Sequence, residues 1–287
     1  MSWMLAALGS AFFGGITAVL AKIGIKNVNS TLATALRTVV ILLFSWLMVF
    51  LTGSQNGIAE LSGYTLFFLI LSGLSTGASW LCYFRALQMA DVSKVAPIDK
   101  SSTVITILLA FLLLGEPLSL PKIIGVLGIG AGALLMIAKS QAPGEQPRSK
   151  TWLLFAALSA VFASLTSIFG KIGIEHVDSN LGTAIRTVVV LLMAWGMVFL
   201  TGKQREIKGV GKKSWAFLLL SGVTTGLSWL CYYHALQDGP ASIVVPVDKL
   251  SIAVTVLFSY LLLKEKLSKR AAVGLLLILI GTGAMLF

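Results

Sequence analysis

The stretch Ser79-Trp80-Leu81-Cys82-Tyr83 returns in the second half of the chain as Ser228-Trp229-Leu230-Cys231-Tyr232. Many other residues also recur at this same offset, and the register holds without a gap from Trp3 to about Ile129. Self-similarity at one fixed offset is typical of a duplicated structural unit. The sequence therefore predicts two copies of one fold, called here the first copy and the second copy.

The composition indicates that both copies lie in a membrane. Of the 287 residues, 57% are hydrophobic and only 11% are charged, against roughly 25% charged residues in an ordinary soluble domain. Each copy contains five apolar segments long enough to cross about 30 Å of hydrocarbon at about 1.5 Å per residue. The segments lie near residues 2–21, 32–52, 64–89, 94–114, 121–138, 152–170, 181–201, 214–237, 241–263 and 271–287. The predicted fold is an all-α integral membrane protein with ten transmembrane helices.

The two copies are expected to have opposite orientations. We assign residues 1–139 to the first copy, 140–150 to a cytoplasmic linker and 151–287 to the second copy. Each copy crosses the membrane an odd number of times, and the linker is too short and polar to add a span. Inverted-topology repeats of this kind occur in secondary transporters, with the solute site near the midplane.

The basic residues predict which side faces the cytoplasm. On one side lie Lys22, Lys26, Lys94, Lys139, Arg148, Lys150, Lys203, Arg205, Lys208, Lys212, Lys213, Lys264, Lys266, Lys269 and Arg270. The other side has only Lys122 and Lys171. Because short cytoplasmic loops are rich in Lys and Arg, we expect the first side to be cytoplasmic. Both termini are then extracytoplasmic, and the expected location is the cell membrane. The net charge of +11 then gives no reason to expect binding to nucleic acid.

Charged residues inside the predicted spans form the candidate site, because each costs about 2.5 to 3.5 kcal/mol at a helix centre. At about 1.5 Å per residue, an inner layer lies roughly 9 Å from the cytoplasmic face. Its members are Arg37, Arg85, Asp99 and Lys100. The repeat predicts a matching layer near the outer face. Its members are Arg186, His234, Asp248 and Lys249.

Two interpretations of these charges remain open. The layers could be gates or proton-coupling sites that open alternately. Alternatively, the long Arg and Lys side chains could reach the headgroups, and Asp99 and Asp248 could form structural ion pairs with Arg37 and Arg186. The inner layer is net positive, which favours an anionic or zwitterionic solute over a lipophilic cation.

Aromatic residues and glycines of the third span of each copy are further candidates. Trp80 and Tyr83, repeated as Trp229 and Tyr232, could line a solute cavity. The small residues Gly73 and Gly77 could instead serve close helix packing. Pro97 and Pro246 precede Asp99 and Asp248 by two residues, where proline either marks an irregular helix or simply starts one.

Polar residues near the predicted span ends suggest helix caps. Glu116 and Glu265 follow spans four and nine, and we expect them to be loop caps. Ser119 and Ser268 are expected to cap the spans that follow. The sequence contains no His/Cys metal cluster, no phosphate-binding loop and no serine-histidine pair. We therefore expect neither an enzyme nor a cofactor.

These motifs resemble the EamA-domain proteins of the drug/metabolite transporter superfamily, especially their group of five-span bacterial and archaeal transporters. The resemblance rests on Arg37-Thr38, on Ser79-Trp80 to Tyr83 followed by Arg85-Ala86-Leu87, on Val95 to Lys100, and on Gly115-Glu116-Pro117-Leu118. It implies a cytoplasmic-membrane permease for small metabolites, with two fused copies of the five-span unit.

The sequence thus predicts a secondary transporter working by alternating access. Its expected partners are membrane lipid, a small solute and a coupling proton or ion, in a monomer or homodimer. The alternative is a scaffold or sensor that retains the fold without transporting.

Overall fold

The computed structural model describes residues 2–25, 28–89, 98, 102–137, 151–263 and 268–285. These residues form eleven α-helices and two short 3-10 helices, and the described part contains no strand. The α-helices are α1 (Ser2–Gly24), α2 (Ser30–Thr52), α3 (Gly63–Met89), α4 (Ser102–Leu114), α5 (Leu120–Ile137), α6 (Thr151–Gly173), α7 (Ser179–Leu200), α8 (Lys212–Asp238), α9 (Ala241–Asp248), α10 (Ser251–Leu263) and α11 (Lys269–Ala284). The 3-10 helices are Ser54–Glu60 after α2 and Lys203–Gly209 after α7.

The described helices agree with a membrane fold. Seven stretches are both long and apolar enough to cross a bilayer: α1, α2, most of α3, α6, α7, α8 and the α9–α10 pair. Shorter apolar helices lie at Ser102–Leu114 and Leu120–Gly132. The all-helical membrane class is confirmed, whereas the count of ten spans stays a prediction.

The ninth predicted span differs from the sequence expectation, because it is interrupted. Helix α9 ends at Asp248, and α10 begins at Ser251 after a turn at Lys249 and Leu250. Pro246 has no N–H to donate to the preceding turn. The N–H of Lys249 then donates to both Val245 O (3.3 Å) and Pro246 O (3.0 Å), which tightens and ends the helix. Of the two interpretations of Pro246, the irregular helix is the one found here, whereas Pro97 lies outside the described residues.

The two copies begin and end their second helix in the same way. The side chains of Asn29 and Asp178 accept hydrogen bonds from the first N–H groups of α2 and α7, which have no partner within the helix. At the other end, Gly53 and Gly202 have φ of 73° and 69°. Glycine adopts this left-handed conformation without a Cβ clash, so the chain can leave the helix sharply.

The chain divides into two compact units, and each contains segments of both sequence copies. The first unit comprises residues 1–74, 169–239 and 251–265, and the second comprises 75–168, 240–250 and 266–287. Within the first unit, α1 packs against α8 and α10, and α2 packs against α7 and α8. Within the second, α5 packs against α11 and α4 against α9. Helices of the two copies are therefore interleaved in each unit, and the sequence-based copy boundaries stay a prediction.

Glycine allows a close helix contact within the second unit. A Cβ on Gly132 would lie 2.5 Å from the carbonyl oxygen of Gly274, and one on Gly125 would lie 2.5 Å from that of Gly281. Helices α5 and α11 therefore meet backbone to backbone, as small residues permit in membrane helix pairs.

Candidate functional site

One face of α8 carries a polar or aromatic side chain on each of four successive turns. Ser221, Thr225, Trp229 and Tyr233 are spaced four residues apart, so they lie above one another on the helix. Three of them are buried and Trp229 is half-buried. Successive members are about 6 Å apart along the helix axis. This face, called the α8 stripe, contacts both of the intramembrane arginines of the first unit.

Arg186 of α7 packs against Trp229 and Tyr233, the two C-terminal residues of the α8 stripe. Its side chain is 1% exposed, and its Nε donates a hydrogen bond to Ser72 Oγ at 3.1 Å. The guanidinium carbon lies 4.1 Å from the ring centroid of Tyr233 and 5.1 Å from that of Trp229. The negative faces of the two rings stabilise the charge away from water.

Arg37 of α2 contacts the same stripe one turn below Trp229. Its Nη2 donates to Thr225 Oγ1 at 2.7 Å. The side chain is only partly buried, and its Nε has no hydrogen-bond partner among the described residues. A guanidinium has five N–H donors in a planar fork that matches a carboxylate. The bond to Thr225 therefore uses one of the five donors of Arg37.

Glycines bring the helices close enough for these contacts. A Cβ on Gly222 of α8 would lie 2.7 Å from the Val40 side chain and 3.2 Å from the Arg37 carbonyl oxygen. A Cβ on the equivalent Gly73 of α3 would lie 2.6 Å from the Val189 side chain and 3.0 Å from the Arg186 carbonyl oxygen. The sequence-based interpretation of Gly73 as a packing residue agrees with this geometry.

Hydroxyl groups join the two copies along equivalent helix pairs. In the first unit, Ser228 of α8 donates to the backbone oxygen of Ser10 in α1 at 3.0 Å, and Thr17 donates to Thr224 at 2.7 Å. In the second unit, Ser79 of α3 donates to the backbone oxygen of Ser159 in α6 at 3.1 Å. The hydrogen bond from Ser228 to Ser10 thus recurs between the equivalent residues Ser79 and Ser159.

The interrupted ninth span carries the predicted pair Asp248 and Lys249 at its break. Their carboxylate and amine are 3.8 Å apart, and both side chains are partly exposed. Because α9 ends here, the pair is next to backbone carbonyl groups that would accept hydrogen bonds within a continuous helix. The predicted pairing of Asp248 with Arg186 stays a prediction.

Glu116 holds the opposite end of α9. Its carboxylate oxygens accept hydrogen bonds from the N–H groups of Ala241 (2.6 Å) and Ser242 (2.9 Å), and the side chain is buried. Pro240 at the N-cap position has no side-chain group for this role. Glu116 is thus a cap, as expected, but it caps the half-helix of the other copy, whereas Ser119 and Ser268 cap the helices that follow them.

The other predicted residues occupy varied positions. Trp80 is half-buried, and Tyr83 packs with Ala86 and Ala156. Tyr232 is half-buried with its ring edge-on to Tyr233. Arg85 and His234, which are equivalent in the two copies, are both exposed. Asp99 and Lys100 lie outside the described residues.

The sequence reasoning missed Tyr233, Ser72 and Thr225 as contacts of the arginines. The signal that could have found them was the spacing of four residues, because Thr225 and Tyr233 flank Trp229 by one helical turn on each side. The role of Glu116 at α9 had no such signal, since its two partners lie far along the chain.

Both repeats match a known family. Residues 1–138 and residues 150–287 each match the EamA-like transporter family. This match confirms the resemblance stated from the motifs. Residues 139–149 lie between the two matched segments.

Curated relatives include proteins of half this length. An "uncharacterized transporter in cobO 3'region" from Sinorhizobium sp is 50% identical over 135 residues, which is 47% of this chain and 96% of the relative. An "uncharacterized transporter" of Archaeoglobus fulgidus is 24% identical over 279 residues, covering 97% of this chain and 95% of the relative. The fold alone is shared with a solved crystal structure at TM-score 0.81 and 18% identity, covering 99% of this chain and 96% of that one.

Proposed function

Because the chain belongs to the EamA-like transporter family, we propose that it is a secondary transporter that moves a small zwitterionic or anionic metabolite by alternating access. The family and the relatives named as transporters support a multi-pass membrane transporter rather than an enzyme. The solute class and the mechanism are the proposed part.

Arg37 is the observation that carries the solute class. It has donors that its bond to Thr225 does not use, and it is a partly exposed charge in a span with no other charged residue. A carboxylate or phosphate would gain charge-assisted hydrogen bonds from these donors. The aromatic residue of the next turn, Trp229, offers an apolar surface to the rest of a small metabolite.

The interrupted ninth span and the repeated hydroxyl contacts support alternating access. Discontinuous helices line solute sites in secondary transporters, because their ends expose backbone dipoles. Hydroxyl bonds such as Ser228 to Ser10 join helices of different copies, and each contributes only about 1 kcal/mol or less in a membrane. Such contacts can exchange as one set of helices moves against another.

Uptake into proteoliposomes tests the proposal. A panel of amino acids and small carboxylates is offered to vesicles with wild-type protein, with Arg37→Gln, and with the surface control Lys269→Gln. We expect flux of at least one anionic or zwitterionic solute, lost in Arg37→Gln and retained in the control. Absence of flux together with absence of any solute-induced thermal shift would favour the scaffold or sensor.

We propose a cytoplasmic membrane location with both termini outside. Two basic residues lie on the predicted outer side, but they do not argue against this orientation because each has a structural role. Lys122 Nζ donates to Pro117 O at 2.8 Å, and Lys171 Nζ donates to the carbonyl oxygens of Leu236 and Gly239. They therefore weigh less against the positive-inside rule than free loop lysines would.

Single cysteines on either side of α7 test the orientation, in a background where Cys82 and Cys231 are replaced by alanine. Glu175 and Arg205 are exposed and flank a helix of 22 residues. A membrane-impermeant maleimide applied from outside should label Glu175→Cys and not Arg205→Cys. The reverse pattern would overturn the orientation. Coupling to a proton or ion, and a monomeric or homodimeric state, are further parts of the proposal.

A further inference from the structure

The connection between α7 and α8 has the same backbone as the connection between α2 and α3. Each begins with a glycine at positive φ, continues as a seven-residue 3-10 helix, and ends with an equivalent bond. The N–H of Leu61 donates to Ile58 O at 3.4 Å, and that of Val210 donates to Ile207 O at 3.2 Å. The two connections are therefore a matched pair of structures.

Their charges differ completely. Residues 203–213 contain five basic residues and one acidic residue, whereas the equivalent residues 54–64 contain no basic residue and only Glu60. The backbone forms equally well with Ser54, Asn56 and Ala59 in the first copy as with lysine or arginine in the second. The fold of this connection therefore does not require the cations.

Most of these cations form no ion pair with a described acidic group of the protein. Lys203 pairs with Glu206 at 2.8 Å. The other four are exposed and form no ion pair with a described acidic group; they are Arg205, Lys208, Lys212 and Lys213. A cluster of unpaired cations in so small a segment is costly through mutual repulsion unless an anion neutralises it.

The surroundings of the cluster indicate what kind of anion it meets. The 3-10 helix Lys203–Gly209 packs against α2 and α7, which holds it at the end of two apolar helices. Phe199 and Leu200, just before it, are 60% and 90% exposed. Trp215 lies one turn into α8, where the first copy has Leu66, and tryptophan favours the level of the headgroups. Cations thus lie next to exposed apolar side chains and an interfacial aromatic residue.

We propose that the connection Lys203–Lys213 is a binding site for anionic phospholipid headgroups of the surrounding membrane. Lysine and arginine beside a bilayer attract acidic lipids, and the neighbouring Phe199 and Leu200 contact the acyl chains. A free phosphate has no acyl chain for those residues, so the lipid fits the whole surface better. This site goes beyond solute transport and does not depend on which solute moves.

Lipid binding to the purified full-length protein tests the site. Native mass spectrometry and thermal unfolding in detergent are recorded with added phosphatidylglycerol, phosphatidylcholine or soluble glycerol phosphate. The variant Arg205→Asn/Lys208→Ala installs the first copy's residues, and Lys269→Gln/Arg270→Gln removes the same charge elsewhere. We expect phosphatidylglycerol affinity to fall at least about tenfold in the first variant, at about fivefold per cation, and by less in the second.

Three outcomes would overturn the proposal. These are an unchanged preference for phosphatidylglycerol in Arg205→Asn/Lys208→Ala, an equal loss in the control, and equal stabilisation by glycerol phosphate, which would indicate a soluble anion instead. If the variant does not fold, the wild-type protein still gives an answer. Its preference for phosphatidylglycerol over phosphatidylcholine must disappear at about 1 M salt, where charges are screened within about 3 Å, and persistence would contradict the site.

Discussion

Arg37 and Arg186 occupy equivalent positions of the two copies, in Thr34-Ala35-Leu36-Arg37-Thr38 and Thr183-Ala184-Ile185-Arg186-Thr187. Their surroundings nevertheless differ. Arg186 is 1% exposed, lies over two aromatic rings and is bonded to Ser72, whereas Arg37 is partly exposed and bonded to Thr225. Both contact the α8 stripe, on neighbouring turns. The same short motif therefore supports two different environments for a charge within a membrane.

The two copies therefore share the same short motif around the arginine, whereas the contacts of the two charges differ. Tyr233, the nearest ring to Arg186, is replaced in the first copy by Phe84. A fully buried charge must be satisfied by the protein itself, whereas a partly exposed one can exchange partners. We therefore expect Arg186 to serve mainly stability and Arg37 mainly the solute.

Removing Arg186 should lower the stability of the protein more than removing Arg37. Arg186→Ala removes two cation–π contacts and leaves a cavity beside Ser72, so we expect the free energy of unfolding to fall by about 3 kcal/mol. Unfolding in mixed micelles of mild and denaturing detergent measures it. Arg37→Ala is the matched control, with an expected loss of about 1 kcal/mol. Equal losses in the two variants would remove the distinction between the arginines.

A smaller effect is expected from the glycines that let the helices approach. Gly73→Ala and Gly222→Ala each force a Cβ against a valine and against the backbone oxygen of an arginine, so each should cost about 2 kcal/mol of stability. Gly196→Ala on α7 is the control, because a Cβ at this position would have nothing within 4 Å. If Gly222→Ala were as harmless as the control, the close approach of α2 and α8 would be wrong.

Hydropathy and the repeat were enough to predict most of the fold. Apolar length placed α2 near 32–52, and the helix spans Ser30–Thr52. The break at Lys249 could not be read this way, because hydropathy reports side chains and not whether backbone groups bond within a helix. Pro246 was the local signal, but proline near a helix start is equally common in unbroken helices.

The site was predictable only in part, for a related reason. A charge in an apolar span is conspicuous, so Arg37 and Arg186 were found from the sequence alone. Their hydroxyl partners were not, since Ser72 and Thr225 look like any small polar residue until the facing helix is known. Glu116 is the extreme case, because its partners at the start of α9 are set by tertiary packing alone.

Removing the hydroxyl partner of each arginine should affect stability differently in the two copies. Ser72→Ala leaves Nε of the fully buried Arg186 without this bond, so we expect a loss of about 1 kcal/mol in the free energy of unfolding. Thr225→Val should cost less, because the partly exposed Arg37 can bond to other groups. The same detergent titration compares them. A larger loss for Thr225→Val would reverse the assignment of the buried and adaptable arginines.

Replacing Tyr233, whose ring lies against Arg186, with the phenylalanine of the first copy should change the stability only slightly. Tyr233→Phe keeps an aromatic face 4.1 Å from the guanidinium and installs the residue found at position 84, so we expect a loss of only about 0.5 kcal/mol. Tyr233→Leu keeps apolar volume but removes the aromatic face, and should cost clearly more. Thermal unfolding of the two variants side by side separates the contributions. If phenylalanine cost as much as leucine, the hydroxyl of Tyr233 rather than its ring would be what stabilises Arg186, and the aromatic enclosure would not explain how the second copy holds its charge.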